Sequence, residues 1–177
     1  MRFFKNLFHA VWLMHRNIRH SIRFSTWCYE RVPGIGRFLA MFIDRTLVWR
    51  YGLEVTSHRV KVAHLHIPHP VGVLLGGNGI VSEGRVAVMS GAKFVGRAPD
   101  DPEYLARAKT GDVFRLGDNV MIGTNSVIVG PVEICDNVVI GSMSLVNKSI
   151  TEPGVYVGSP VKKLDLPVPG DTWVSGG

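Results

Sequence analysis

Several features that would define a protein class at once are scarce in this 177-residue chain. It has two cysteines, Cys28 and Cys135, too few for a disulfide framework and not spaced as a CxxC metal pair. A reducing compartment, the cytoplasm, is the simplest setting. No stretch approaches the ~20 apolar residues that span a bilayer. Met1-Arg2-Phe3-Phe4-Lys5 begins like a secretory leader, but His9, His15 and Arg16 interrupt the apolar run that should follow. Zinc knuckles, RNP-type aromatic motifs and a basic recognition helix with dimer features are all missing, so nucleic acid is not an expected partner. Disorder is excluded by a balance of 46% apolar to 19% charged residues.

Acid is scarce in one place. Residues 1–50 hold nine Lys/Arg against Glu30 and Asp44, a balance of +7, while the whole chain carries +6. A basic, aromatic-rich N-terminus on a nearly neutral body suits an acidic partner or the anionic inner face of a membrane. Phe4, Leu7, Phe8, Val11 and Trp12 recur at spacings of three and four, and Met14 and Ile18 continue near that face, which predicts a helix. Arg16, Arg19 and Arg23 form a polar stripe beside it. Pro33-Gly34 and Gly36 end this segment. A second helix is expected from Arg37 to about Tyr51, stopped by Gly52. These helices either pack as core or lie on a membrane surface as a peripheral anchor.

After Gly52 the texture changes. Residues 116–151 divide into hexads without a gap: LGDNVM, IGTNSV, IVGPVE, ICDNVV, IGSMSL, VNKSIT. Leu116, Ile122, Ile128, Ile134, Ile140 and Val146 hold the first position; Val120, Ser126, Val132, Val138, Ser144 and Ile150 hold the fifth. A six-residue period means a short strand, a turn and another short strand, with three hexads to a triangular coil. The first position points inward and stacks on its equivalent one coil away. One coil cannot bury its own face, so several must stack. Residues 60–94 repeat the texture less cleanly, with a one-residue slip expected near 80–86. Residues 97–114 break the hexads and are expected to protrude as a charged loop. The expected layout is therefore a helical segment at 1–52, a β-helix at 53–165 and a tail at 166–177.

The hexads, with His69-Pro70-Val71-Gly72-Val73-Leu74-Leu75-Gly76 and the closing Gly158-Ser159-Pro160-Val161-Lys162, resemble the serine acetyltransferase branch of the hexapeptide-repeat acyltransferases over residues 50–165. The short N-terminal region is more similar to the exopolysaccharide acetyltransferases of that branch, of the colanic-acid type. The resemblance implies a left-handed parallel β-helix, a homotrimer, and acetyl-CoA as acyl donor in a groove between subunits.

It also implies a catalytic dyad. The family's base falls on His69 and its carboxylate, fifteen residues upstream, on Glu54. Histidine ordinarily titrates near neutrality and can take the proton of an attacking hydroxyl. A carboxylate on the far ring nitrogen would fix its tautomer. Gly96 falls near the thioester, where a backbone N–H could serve the oxyanion. Thr124 and Ser142 match positions lining the pantetheine channel; Lys162, with Lys163 beside it, falls at the nucleotide end, where a point charge suits a phosphate. Two positions depart from the serine-specific pattern: Pro68 stands for the serine-binding Asp, and Val113, preceded by Asp112, stands for a second active-site His. These departures point to O-acetylation of a sugar hydroxyl. Acetylation of serine, or a catalytically silent β-helix serving assembly, are the alternatives. His64, His66 and His69 invite a zinc reading, but 64 and 66 alternate in direction on a strand, so no metal site is expected.

Overall fold

The computed structural model describes residues 14–76, 78–97 and 100–168. The expected apolar face from Phe4 to Trp12 lies outside these residues, as does residue 169 onward in the expected tail.

Two helices open the described chain, α1 (Met14–Arg31) and α2 (Gly36–Tyr51). They form a close antiparallel hairpin because Gly36 has no side chain: a Cβ there would meet the Cys28 carbonyl oxygen. A carboxylate ties the hairpin to the rest of the chain. Ser25 Oγ donates to Asp44 Oδ1 at 2.8 Å, Ser57 Oγ donates to the same oxygen at 2.5 Å, and the Ser57 N–H donates to Oδ2 at 3.1 Å. Both serines are fully buried. Gly52 ends α2 in the left-handed conformation, its N–H returning to the Val48 carbonyl.

From there the chain winds into a parallel β-helix. Its strands are β1 (Glu54–Val55), β2 (Val60–His66), β3 (Leu74–Leu75), β4 (Ile80–Val88), β5 (Lys93–Gly96), β6 (Phe114–Leu116), β7 (Val120–Ile122), β8 (Val127–Gly130), β9 (Val132–Ile134), β10 (Val138–Ile140), β11 (Leu145–Val146), β12 (Gly154–Val157) and β13 (Lys162–Leu164). One face stacks β1-β3-β5-β8-β11. β4 is long enough to turn a corner and serve two faces: its start pairs with β6 and its end with β7. Among the described strands only the closing one, β13, runs antiparallel to its neighbour, β12.

The hexad pattern meets the structure residue by residue. Val120 pairs with Val138, eighteen positions on, as three hexads per coil require. All six first-position residues are buried, as are all six at the fifth position. The two serines among them bridge coils. Ser126 Oγ donates to the Gly141 carbonyl at 2.8 Å and accepts from the Ser144 N–H at 3.3 Å, and Ser144 Oγ accepts from the Gly158 N–H at 3.1 Å. A small hydroxyl thus replaces an aliphatic group without leaving a buried donor unpaired.

The early coils are wider. Leu75 pairs with Phe94, nineteen residues on, and Glu54 with Leu74, twenty on. The expected slip is found where Val62 faces Ser82 but His64 faces Arg85, giving β4 one residue more than β2. Residues 100–112 leave the coil as expected, but Phe114 already begins β6 and the excursion is not simply a loop. Pro102–Thr110 forms a helix, α3, capped by Asp101, whose side chain accepts from the Tyr104 N–H, and ended by Gly111 in the left-handed conformation. That hydrogen bond, helped by Arg97, holds the Asp101 carboxyl below its ordinary range. Asp101 is therefore an N-cap.

Candidate active site

The corner that leads from the ends of β4, β7 and β10 into the five-stranded face carries a column of left-handed residues. Gly52, Gly72, Gly91, Asn125, Met143 and Gly158 all have positive φ. Backbone hydrogen bonds link them upward, from the Gly72 N–H to the Gly52 carbonyl, Gly91 to Val71, Asn125 to Ser90 and Met143 to Thr124, each at 2.8–2.9 Å. Glycine or asparagine is the physically favoured choice for such a backbone, and only Met143 departs from it.

His69 sits in the turn that feeds this column. Pro68 and Pro70 flank it, and Pro70 restricts it to extended backbone. Ile67 and Pro70 are buried and anchor the turn, so the His69 side chain projects from a fixed base into solvent. Thr124 and Ser142 occupy the same corner in later coils, Thr124 half-buried and Ser142 exposed. Gly158 ends the column and leads into Lys162. From the His69 turn to the Ser142 turn is three coil steps of about 4.8 Å, or about 14 Å along one edge.

Glu54 begins β1 at the same corner, two residues beyond Gly52, with its N–H donating to the Val73 carbonyl at 3.0 Å. Its side chain is exposed. Within the described residues no hydrogen bond or ion pair joins it to His69. Instead Glu54 lines a cleft of about 330 Å³ between α2 and the first coil, with Arg37, Arg45 and His58.

Gly96 lies elsewhere. It ends β5, about 10 Å along the strand from the corner. The Tyr104 ring fills the space beside it, so a Cβ would meet ring atoms. Tyr104 Oη donates to Asn78 Oδ1 at 2.8 Å, fixing α3 over the coil. In a single chain Gly96 therefore serves packing of the inserted helix and is not brought to His69.

The two lysines differ. Lys163 Nζ is 2.8 Å from Glu152 Oε2, and the pairing raises the lysine and lowers the carboxyl from their ordinary values. Its methylenes lie across Gly154. Lys162 is exposed and has no ion-pair partner among the described residues. Val113 is fully buried, packed where Gly130 leaves room. A histidine there would have to enter the core, so its absence follows from the packing.

Sequence reasoning passed over His58. Its ring stacks on Tyr29 at 3.7 Å, and burial, then the nearby Arg59 charge, push its pKa below the ordinary value. A lone His-Arg pair outside the repeat gave no signal for this contact. No group of three or more His, Cys, Asp or Glu converges as a metal site among the described residues. Cys28 and Cys135 are both unpaired thiols, and burial raises that of Cys135.

Comparison with known proteins places this architecture. Residues 115–148 match the bacterial transferase hexapeptide family, six repeats. The fold is that of solved serine acetyltransferases. The Brucella abortus S19 enzyme superposes with a TM-score of 0.72 at 18% identity, covering 86% of this chain and 57% of that one. The same enzyme in complex with coenzyme A gives 0.72 at 18%, covering 86% and 56%. The soybean enzyme complexed with serine gives 0.64 at 17%, covering 81% and 54%. The chain thus spans a little over half the length of these structures. It is a parallel β-helix that carries the transferase hexapeptide repeat over residues 115–148.

Proposed function

We propose that the protein transfers an acetyl group from acetyl-CoA to a sugar hydroxyl of a polysaccharide or lipid-linked glycan, as the exopolysaccharide enzymes of the colanic-acid type do. The observation that carries this reading is the single edge on which His69, Thr124, Ser142 and the Gly158–Lys162 segment stand in order. An extended pantetheine arm laid along that edge would set its thioester near His69 and its phosphates near Lys162. The turns at Thr124 and Ser142 would line the arm.

His69 then acts as general base. It takes the acceptor hydroxyl proton as the oxygen attacks the thioester carbon; the tetrahedral oxyanion collapses, and the thiol of CoA leaves with the proton. Glu54 orients the imidazole, which requires its exposed side chain to turn towards the His69 turn when substrate binds; catalytic hydrogen bonds often tighten only in the complex. A homotrimer would supply the remaining part. Gly96 is out of reach in one chain, and a groove between neighbours would bring one subunit's β5 end to another's edge. Acetyl-CoA as donor suits the cytoplasmic side of a membrane.

Serine is the second candidate acceptor, favoured by the soybean enzyme's complex with that amino acid. Pro68 and the buried Val113 argue against it, since neither offers a charged group to an amino acid. The test is CoA release with acetylated-glycan precursors and with L-serine in parallel. Turnover with the glycan alone supports the proposal, and faster turnover with serine overturns it. CoA release with neither acceptor, and no acetyl-CoA binding by calorimetry, identifies an assembly module instead.

A further inference from the structure

The outer face of the helical hairpin belongs to neither the core nor the edge just described. On α2, Ala40 and Leu47 mark the inner side. About half a turn round the helix from them stand Phe38, Phe42 and Trp49, respectively 70%, 62% and 77% exposed, with Leu39 beside them. Arg45 borders this stripe on one flank and Arg50 on the other. α1 adds Phe24 and Trp27, both more than half exposed, with rings stacked 5.9 Å apart. This amount of large apolar surface on one hairpin marks an interaction site.

Charge decides what covers it. α2 has one acid, Asp44, and the hydrogen bonds from Ser25 and Ser57 hold it on the inner side. The one acid of α1 is Glu30, which lines a cavity of about 520 Å³ against β2, away from the stripe. The outer face therefore presents Arg50 and, at its border with the Glu54 cleft, Arg45, and no carboxylate of either helix. A second copy of the chain docked there about a two-fold axis would set arginine against arginine. A surface of negative headgroups over hydrocarbon satisfies both components, with guanidinium groups at phosphate and aromatic rings at the boundary.

We infer that α2, with the adjoining turn of α1, lies flat on an anionic lipid bilayer. No described helix is long and apolar enough to cross one, so the attachment is superficial. The inference rests on the exposed face alone and stands whether or not the proposed transfer reaction is correct. On that reading the β-helix is held at the surface, within reach of a lipid-linked acceptor.

The experiment is flotation of the full chain with vesicles of phosphatidylcholine alone and of phosphatidylcholine mixed with phosphatidylglycerol. The expected result is co-flotation with the mixed vesicles, weakened by salt, with little on the neutral ones. The double variant Phe42→Ser, Trp49→Ser should lose at least about tenfold in partitioning while keeping its circular dichroism and mass. Arg45→Gln with Arg50→Gln should lose the preference for phosphatidylglycerol. A wild-type chain that stays unbound overturns the inference. So does binding that survives the double variant, or a double variant of lower oligomeric mass, which would mean that another copy covers the face.

Discussion

Replacing Asp44 by alanine should release the helical hairpin from the β-helix. The carboxylate accepts from two buried hydroxyls, Ser25 and Ser57, and from the Ser57 N–H. Ser25 keeps a second acceptor in the Ala40 carbonyl at 3.2 Å, so its loss is partial. The two Ser57 donors have no other acceptor in this network. Leaving a buried donor unpaired costs about 1–3 kcal/mol. Two such donors and a weakened third give about 3–5 kcal/mol for D44A, among the large single-residue effects. Asp44→Asn keeps the volume and one accepting oxygen, and about 1–2 kcal/mol is expected. Equilibrium urea denaturation measures the difference, and limited proteolysis localises it: D44A should be cut near Gly52 while the repeat stays resistant. A D44A unfolding free energy within about 0.5 kcal/mol of wild type would refute the reasoning. The carboxylate would then not be what holds the hairpin.

Other outcomes follow from individual contacts. Phe94 is 1% exposed and meets Phe114 edge-on at 5.2 Å, so Phe94→Ala should cost about 3–5 kcal/mol by thermal or urea unfolding. Met143 holds φ 58° in the column where the neighbouring coil has Asn125 at 57°. Met143→Asn should stabilise the fold by about 0.5–1 kcal/mol, read from the same curves. Arg85 bonds to Asp118 and lowers its pKa from 3.8 to about 2. Because the folded value is the lower one, the stabilisation is complete above the ordinary value and is lost as pH falls towards about 2. Both groups are substantially exposed, so the amount is under about 1 kcal/mol. NMR titration of Arg85→Gln should return Asp118 towards its ordinary value. Lys162→Gln should raise the KM for acetyl-CoA by up to about tenfold with little change in kcat. Lys163→Gln should do less, since Glu152 already engages that ammonium.

How much was legible in the sequence depended on the period. From Leu116 to Ile150 the hexads assign each inward residue, because an eighteen-residue coil stacks like on like and the backbone has no freedom of register. Before Val95 the coils are nineteen and twenty residues long, and the partners of Glu54 and Leu75 cannot be counted from a period. That is why the fifteen-residue spacing from Glu54 to His69 identifies a shared corner but not a formed hydrogen bond. α3 is nine residues long and weakly amphipathic, so residues 97–114 read as loop; its Asp101-Pro102 start and Gly111 stop were the available signals. Gly96 looked like a site of close ligand approach, whereas the side chain that approaches it is Tyr104, eight residues on in the inserted helix. The hairpin contacts through Gly36 and Asp44 depend on two helices meeting the first coil, which no local pattern records.

The central claim is that His69 is the base at the foot of the acyl-donor edge. Steady-state CoA release from acetyl-CoA, with a glycan acceptor, by wild type and His69→Ala tests it most directly. The account predicts a fall in kcat of at least about 100-fold with the KM for acetyl-CoA nearly unchanged, because the histidine moves a proton and does not hold the nucleotide. Unchanged turnover in a folded His69→Ala protein would contradict it.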